Sequence, residues 1–153
     1  MKKLLALSLA LICLVGLTGC KNSTPGIYYF KGIHDSFELN DCMLIVEDSS
    51  EIFKGGTLSI TQPELFENVV SCNMRFYILF EDESIYTFRT IKMDDLSNGS
   101  ELNGSSLGNG GSTNGASLVE LSKNFDRNLW FELKTKDVNG IENEYQIPLE
   151  LIK

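Results

Sequence analysis

The sequence predicts an all-β fold, namely a single antiparallel β-sandwich of about seven strands. Three observations predict it. Short segments alternate apolar and polar residues with a period of two, turn-forming residues separate these segments, and no long amphipathic helix is apparent. Regularly spaced short strands of this kind are typical of sandwiches and barrels.

The first half of the domain contains three predicted strands and one helical turn. The strands are predicted at 27–30, 36–47 and 57–60. Pro25-Gly26 precedes the first strand and Gly55-Gly56 precedes the third, and both pairs are typical turn residues. The sequence Thr61-Gln-Pro-Glu64 has the capping-box pattern with a proline in the first turn, so it predicts one helical turn through Phe66.

The second half supplies four more predicted strands. They are placed at 72–81, 85–91, 129–134 and 145–151. The alternation is most regular from Cys72 to Glu81. Asn139-Gly140 predicts a hairpin turn before the closing strand, since both residues accept positive φ. Pro148 lacks an N–H group, which places the closing strand at a sheet edge or at a bulge.

This order of strands resembles the layout of immunoglobulin-like sandwiches. The resemblance is one of pattern alone. The Cys…Trp…Cys order of antibody domains is absent, because the single Trp130 follows both Cys42 and Cys72, and the sequence contains no tyrosine corner.

Residues 97–117 depart from the strand pattern. These 21 residues include six Gly, six Ser and four Asn, and chains of such composition behave as flexible coils. Only two strong strands follow, and an isolated hairpin is marginally stable, so they are expected to complete the sheet begun upstream. The sequence therefore predicts one domain over 27–153 with a disordered loop at 97–117, which is either a tolerated insertion or a binding segment.

The first twenty residues combine a basic start, an apolar run and a cysteine. The apolar run at 4–15 is too short to span a bilayer and fits a signal peptide. The sequence Leu17-Thr18-Gly19-Cys20 resembles the lipobox of bacterial lipoprotein precursors. This resemblance implies a signal peptide at 1–19, a lipidated Cys20 and a tether over 20–26. It also implies a cell-membrane location on the extracytoplasmic side, in the outer membrane if the cell has two membranes. An ordinary cleaved signal peptide or a short membrane helix is the alternative.

The chain is acidic, with 13 basic against 21 acidic residues, and removal of the leader with its two lysines leaves 11 basic residues. A nucleic-acid partner is not expected, since binding phosphate requires Lys and Arg. An acidic surface is not attracted to anionic headgroups, so the lipid is expected to hold the protein while the domain stands off the membrane. The single His34 excludes a multi-histidine metal site, and no cofactor is expected.

Two cysteines remain for the mature domain, Cys42 and Cys72, because Cys13 lies in the leader and Cys20 carries the lipid. Two interpretations stay open. An extracytoplasmic compartment permits a disulfide between them, which would contribute about 3–4 kcal/mol by the loop-entropy estimate. Two buried free thiols, acting as small hydrophobic residues, are the alternative.

No catalytic apparatus is apparent in the sequence. A hydrolase needs a nucleophile beside a base, but the only imidazole belongs to His34, and the sequence has no Gly-x-Ser-x-Gly motif. The acidic clusters at 47–48, 81–83 and 94–95 lie beside predicted turns, where acidic residues are typically solvated. No catalytic, cofactor-binding or metal-binding residue is therefore assigned.

Tyr77, Tyr86 and Trp130 are the candidate partner contacts, because aromatic side chains on an exposed β face can bind proteins or sugars. The expected function is that of a lipid-anchored, non-catalytic binding or structural module at the cell envelope, with a protein or glycan partner. One alternative is an inhibitor or accessory subunit of an envelope enzyme or transporter. Another is a carboxylate-dependent hydrolase, which would require a cleft where two acids converge around Glu81 or Asp94.

Overall fold

The computed structural model describes residues 26–47, 50–81, 83–112 and 128–152. The predicted signal peptide at 1–19, the predicted lipidation residue Cys20 and the part of the predicted tether (20–26) before Gly26 lie outside the described residues. The last part of the predicted loop, from 113 to 117, lies outside them as well.

The described residues form eleven strands in two antiparallel sheets, which confirms the predicted all-β sandwich. In chain order the strands are β1 (Gly26–His34), β2 (Phe37–Val46), β3 (Glu51–Lys54), β4 (Thr57–Ile60), β5 (Val69–Leu79), β6 (Ile85–Met93), β7 (Ser105–Ser106), β8 (Asn109–Ser112), β9 (Leu129–Asp137), β10 (Glu142–Pro148) and β11 (Glu150–Ile152). Sheet A has the order β11-β1-β2-β3-β8, with β4 beside β2 and β7 beside β4. Sheet B has the order β10-β9-β5-β6. The strands that the sequence did not predict are β3, β7, β8 and the separate β11.

Strand β2 belongs to two branches of sheet A. Its first half, Phe37 to Asn40, pairs with β4, and its second half, from Met43, pairs with β3. Between the halves, Asp41 has a φ of 58°, a left-handed conformation that Asp tolerates better than most residues. Gly56 lets the chain approach at this point, because a Cβ there would lie 1.7 Å from the carbonyl oxygen of Asn40.

The C-terminal strands begin with the predicted hairpin, but the predicted closing strand is divided between the two sheets. Asn139 and Gly140 form the predicted hairpin turn between β9 and β10, and Gly140 has a φ of 81°. Pro148 ends β10, which is an edge strand of sheet B. The single closing strand predicted over 145–151 is wrong, because the chain changes sheets at Leu149. The Leu149 N–H donates to the Leu129 carbonyl at 2.8 Å, and the chain continues as β11 beside β1 in sheet A.

The core between the sheets is built around Phe76 of β5. Its ring centroid lies 4.8 Å from those of Phe53 and Phe131 and 6.3 Å from that of Phe30. All four rings are buried. Because Phe30 and Phe53 belong to sheet A, these contacts join the two sheets, and burying each large apolar side chain contributes roughly 1.5–3 kcal/mol.

The prediction of a disordered loop at 97–117 is wrong for residues 97–112, which are ordered. A 3₁₀ turn spans Gly99–Leu102, and β7 and β8 then pair with β4 and β3. Leu102 and Leu107 are fully buried. Gly99 permits the close packing, because a Cβ there would lie 1.7 Å from the Phe66 carbonyl oxygen. The small residues that suggested flexibility therefore allow close approach, and the two leucines supply the buried apolar surface.

The predicted helical turn is present as a 3₁₀ turn over Pro63–Leu65. Its predicted capping box is wrong. The Thr61 hydroxyl donates instead to the Asp35 carbonyl at 2.8 Å, and Gln62, the residue before the turn, makes no side-chain capping bond. Thr61 thus links the turn to the β1–β2 connection rather than closing the start of a helix.

Candidate binding faces

The two outer faces of the sandwich differ in chemistry. Alternate side chains of a strand point to opposite faces of the sheet, so each sheet has one face directed away from the core. We call the outer face of sheet B the polar face; it consists of Arg75, Tyr77, Trp130, Glu132, Lys134, Glu144 and Gln146. We call the apolar group on the outer face of sheet A the apolar face; it consists of Ile27, Tyr29, Met43, Ile45, Ile52 and Ile152.

Glu132 lies at the centre of the polar face although it is only 3% exposed. Arg75 Nη2 donates to Glu132 Oε2 at 2.8 Å, and Gln146 Nε2 donates to the same oxygen at 3.2 Å. Lys134 Nζ lies 3.7 Å from the other carboxylate oxygen. These partners come from β5, β9 and β10, because the strand register places Arg75, Glu132 and Gln146 in one row. A buried carboxylate needs such partners, and removing one of them is costly.

A second ion pair borders this row. Lys134 Nζ lies 3.1 Å from Glu144 Oε2. Their hydrogen bond lowers the pKa of Glu144 and raises that of Lys134, so both groups stay charged over a wider pH range. Both side chains are about half exposed, and such surface pairs contribute little stability. Their effect is to give the polar face a fixed charge pattern.

Tyr77 and Trp130 are direct cross-strand neighbours on the polar face, but only Trp130 is accessible. Tyr77 is 3% exposed, and the Arg75 guanidinium carbon lies 4.8 Å from its ring centroid. Burial raises the pKa of Tyr77. The prediction of Tyr77 as an exposed contact is wrong, because Arg75 turns toward Glu132 and covers the ring. Trp130 is half-buried, with one part of its side chain open to a partner.

Tyr86 does not belong to the polar face. It pairs with the buried Ile78 and packs against the core from the inner side of sheet B. Its hydroxyl hydrogen-bonds to the carboxylate of Glu51, and burial raises the pKa of both groups. The prediction of Tyr86 as an exposed contact is therefore wrong. The sequence of β6 alone does not show which of its two faces is turned toward the core, because that depends on its register with β5.

A cleft of about 400 Å³ lies at the end of the polar face. Its lining includes Asp94, Glu142, Glu144 and Lys134, whereas Glu81 is exposed and does not line it. Three acids thus line one cleft, which is the kind of site that the hydrolase alternative requires. However, the hydrogen bond with Lys134 lowers the pKa of Glu144 and keeps this carboxylate ionised. A general acid needs a raised pKa instead.

Cys42 and Cys72 are buried free thiols, so the disulfide interpretation is wrong for this structure. Cys42 lies in sheet A and Cys72 in sheet B. Burial raises the pKa of each thiol to about 11, while backbone hydrogen bonds involving Gly56 and Met93 oppose the shift. Both cysteines act as small hydrophobic residues of the core.

The apolar face was not identified from the sequence. Ile27, Ile45 and Ile52 form one cross-strand row, and Ile152, Tyr29 and Met43 form the next. The sequence did contain a signal, because both faces of 27–30 and of 43–46 are apolar, whereas a strand with one solvated face alternates.

Within the described ranges, no group of three or more His, Cys, Asp or Glu side chains is placed to hold a metal ion. The same ranges contain no helix that is long and apolar enough to cross a membrane. Comparison with protein-family models, with curated proteins and with solved structures finds no match to this chain.

Proposed function

We propose that this chain is a lipoprotein, held on the extracytoplasmic side of a bacterial membrane by acyl chains on Cys20, and that it acts there as a non-catalytic binding module. The observation that carries the proposal is the sequence Leu17-Thr18-Gly19-Cys20 behind a short basic and apolar leader. Each buried methylene of an acyl chain contributes about 0.8 kcal/mol, so two or three chains give a stable anchor.

The polar face is the surface that we propose for partner binding. Trp130 is half-buried, and Tyr77 and Pro148 are its cross-strand neighbours, so part of its side chain is covered and part is open to a partner. The Glu132 network fixes the charges beside it. A preorganised surface loses less conformational entropy on binding, and Trp is enriched among the residues that dominate binding energy. A protein or glycan surface of complementary charge fits this face.

The anchor is tested by replacing Cys20 with serine. Serine has no thiol to accept the lipid, so Cys20→Ser should leave the membrane fraction or remain as the uncleaved precursor. The measurement is membrane fractionation combined with the intact mass of the protein. Cys13→Ser is the matched control, because Cys13 lies inside the leader and its loss should change nothing. A Cys20→Ser protein that stays anchored and is cleaved at the same site would contradict the proposal.

The binding face is tested by Trp130→Ala. We expect affinity for the partner captured from native membranes to fall at least about tenfold, which corresponds to about 1.4 kcal/mol. Ile33→Ala on sheet A is the control, because Ile33 is 62% exposed and lies on the other sheet. Thermal unfolding of both variants shows that each is folded. Equal capture by the two variants would place the partner on another surface.

A further inference from the structure

The apolar face exposes several large apolar side chains side by side, which is unusual for a protein surface in contact with water. Ile27 is 54% exposed, Tyr29 52%, Ile152 48% and Ile52 39%. Met43 and Ile45 lie between them and are partly exposed. Cross-strand neighbours are only about 5 Å apart, so these side chains form one continuous patch rather than scattered residues. Contiguous apolar patches of this kind mark surfaces that are covered by a partner or a membrane.

The patch lies close to the point where the chain is anchored. Ile27, one of its members, follows Cys20 by only seven residues. Seven residues reach at most about 25 Å even when fully extended. That distance is no greater than the diameter of a domain of this size, whose radius of gyration is about 13 Å. The patch therefore cannot be far from the bilayer that would hold the lipid of Cys20.

The composition of the patch fits the boundary between acyl chains and headgroups. Four members are isoleucine, which suits the acyl region, and Tyr29 has an apolar ring with a polar tip, which suits the boundary. Lys31 and Lys54 lie beside Tyr29 and Met43 on the same face, and long lysine side chains can reach headgroups from such positions. Lys31 Nζ also lies 3.8 Å from Glu150 Oε2, so the acidic side chain beside it is paired.

A second copy of the chain is a poorer occupant. A stable protein interface buries about 800 Å² and roughly 20–30 residues on each partner, whereas the patch has six side chains. Contact with a membrane does not require so large a buried area, because the proposed lipid on Cys20 keeps the domain next to the bilayer and so gives it a high effective concentration there.

From these observations we infer that the apolar face lies on the membrane surface, with its side chains at the headgroup–acyl boundary. The inference rests on the proposed lipid anchor. It differs from the expectation that the acidic domain stands off the membrane, because apolar contact does not depend on charge. Since sheet B lies on the opposite side of the core, this orientation directs the polar face and Trp130 away from the membrane.

The orientation is tested by fluorescence quenching in vesicles. Trp130 is the single tryptophan of the chain and lies on the polar face. A second protein, Tyr29→Trp with Trp130→Phe, carries its only tryptophan on the apolar face. Both are expressed in bacteria from the full sequence with Cys20 intact, and the purified proteins are reconstituted with phosphatidylcholine vesicles with or without brominated acyl chains. We expect bromine to lower the emission of Trp at position 29 at least about twofold and to leave Trp130 unchanged, because boundary residues lie only about 5–10 Å deep.

Two matched substitutions control for nonspecific effects on the reporter at position 29. Ile52→Asp introduces a charge into the apolar face and should abolish the quenching. Ile85→Asp introduces the same charge at a residue of similar exposure on the outer side of sheet B, and should leave the quenching intact. Added salt should also have no effect, since the contact is apolar.

Vesicle flotation separates failure of this inference from failure of the anchor. A protein that floats with the vesicles but shows equal or no quenching at both positions overturns the inference and leaves the anchor standing. A concentration-dependent blue shift at position 29 without quenching would identify a second copy as the occupant, which also overturns it. A protein that does not float overturns the anchor and with it the orientation.

Discussion

Replacing Phe76 with alanine should lower the free energy of unfolding by about 3–5 kcal/mol, which is a large part of the stability of a domain of this size. Phe76 is fully buried, and its ring contacts Phe30 and Phe53 of sheet A and Phe131 of sheet B. Alanine would leave a cavity where the two sheets meet, and the surrounding rings can close it only in part.

The measurement is urea unfolding followed by circular dichroism. Tyr29→Ala is the matched control, because Tyr29 is also an aromatic strand residue but is 52% exposed. We expect its loss to cost less than about 1 kcal/mol, as is usual for surface positions. Comparable losses in the two variants would contradict the assignment of Phe76 to the centre of the core.

Leu102→Ala should also destabilise the domain, by about 2–5 kcal/mol. Leu102 is fully buried although it lies in a segment whose composition is typical of flexible linkers. Leu65→Ala is the control, since Leu65 also lies in a 3₁₀ turn but is 49% exposed. If both variants unfold at the wild-type urea concentration, residues 97–112 do not pack against the core as described.

The regular strands could be predicted because each has one face in the core. The alternation of Met74, Phe76 and Ile78 with polar residues identifies β5 from the sequence alone. The strands β7 and β8 lack this signal, because backbone hydrogen bonds with β4 and β3 hold segments made of Ser, Gly and Asn. The sequence does not separate β11 from β10, because the apolar alternation continues through Leu149, and only the tertiary structure shows that the chain changes sheets there.

The candidate binding faces were predicted only in part, because exposure depends on neighbours that are distant in sequence. Trp130 was correctly placed on an outward position, whereas Tyr77 on the same face is covered by Arg75. That cover depends on the attraction of Arg75 to Glu132, which lies 57 residues away in the chain. The apolar face likewise forms only when β1, β2, β3 and β11 assemble in one register.

The pairing of β1 with β11 has a consequence for the order of folding. The first strand of the domain lies between β2 and β11, so one of its neighbours comes from residues 150–152. Contacts of such high sequence separation are slow to form, and all-β sandwiches dominated by them fold in roughly milliseconds to seconds. Sheet A therefore cannot be completed until residues 150–152 have been synthesised. This delay leaves β1 with only one of its two neighbours, β2, until late in synthesis.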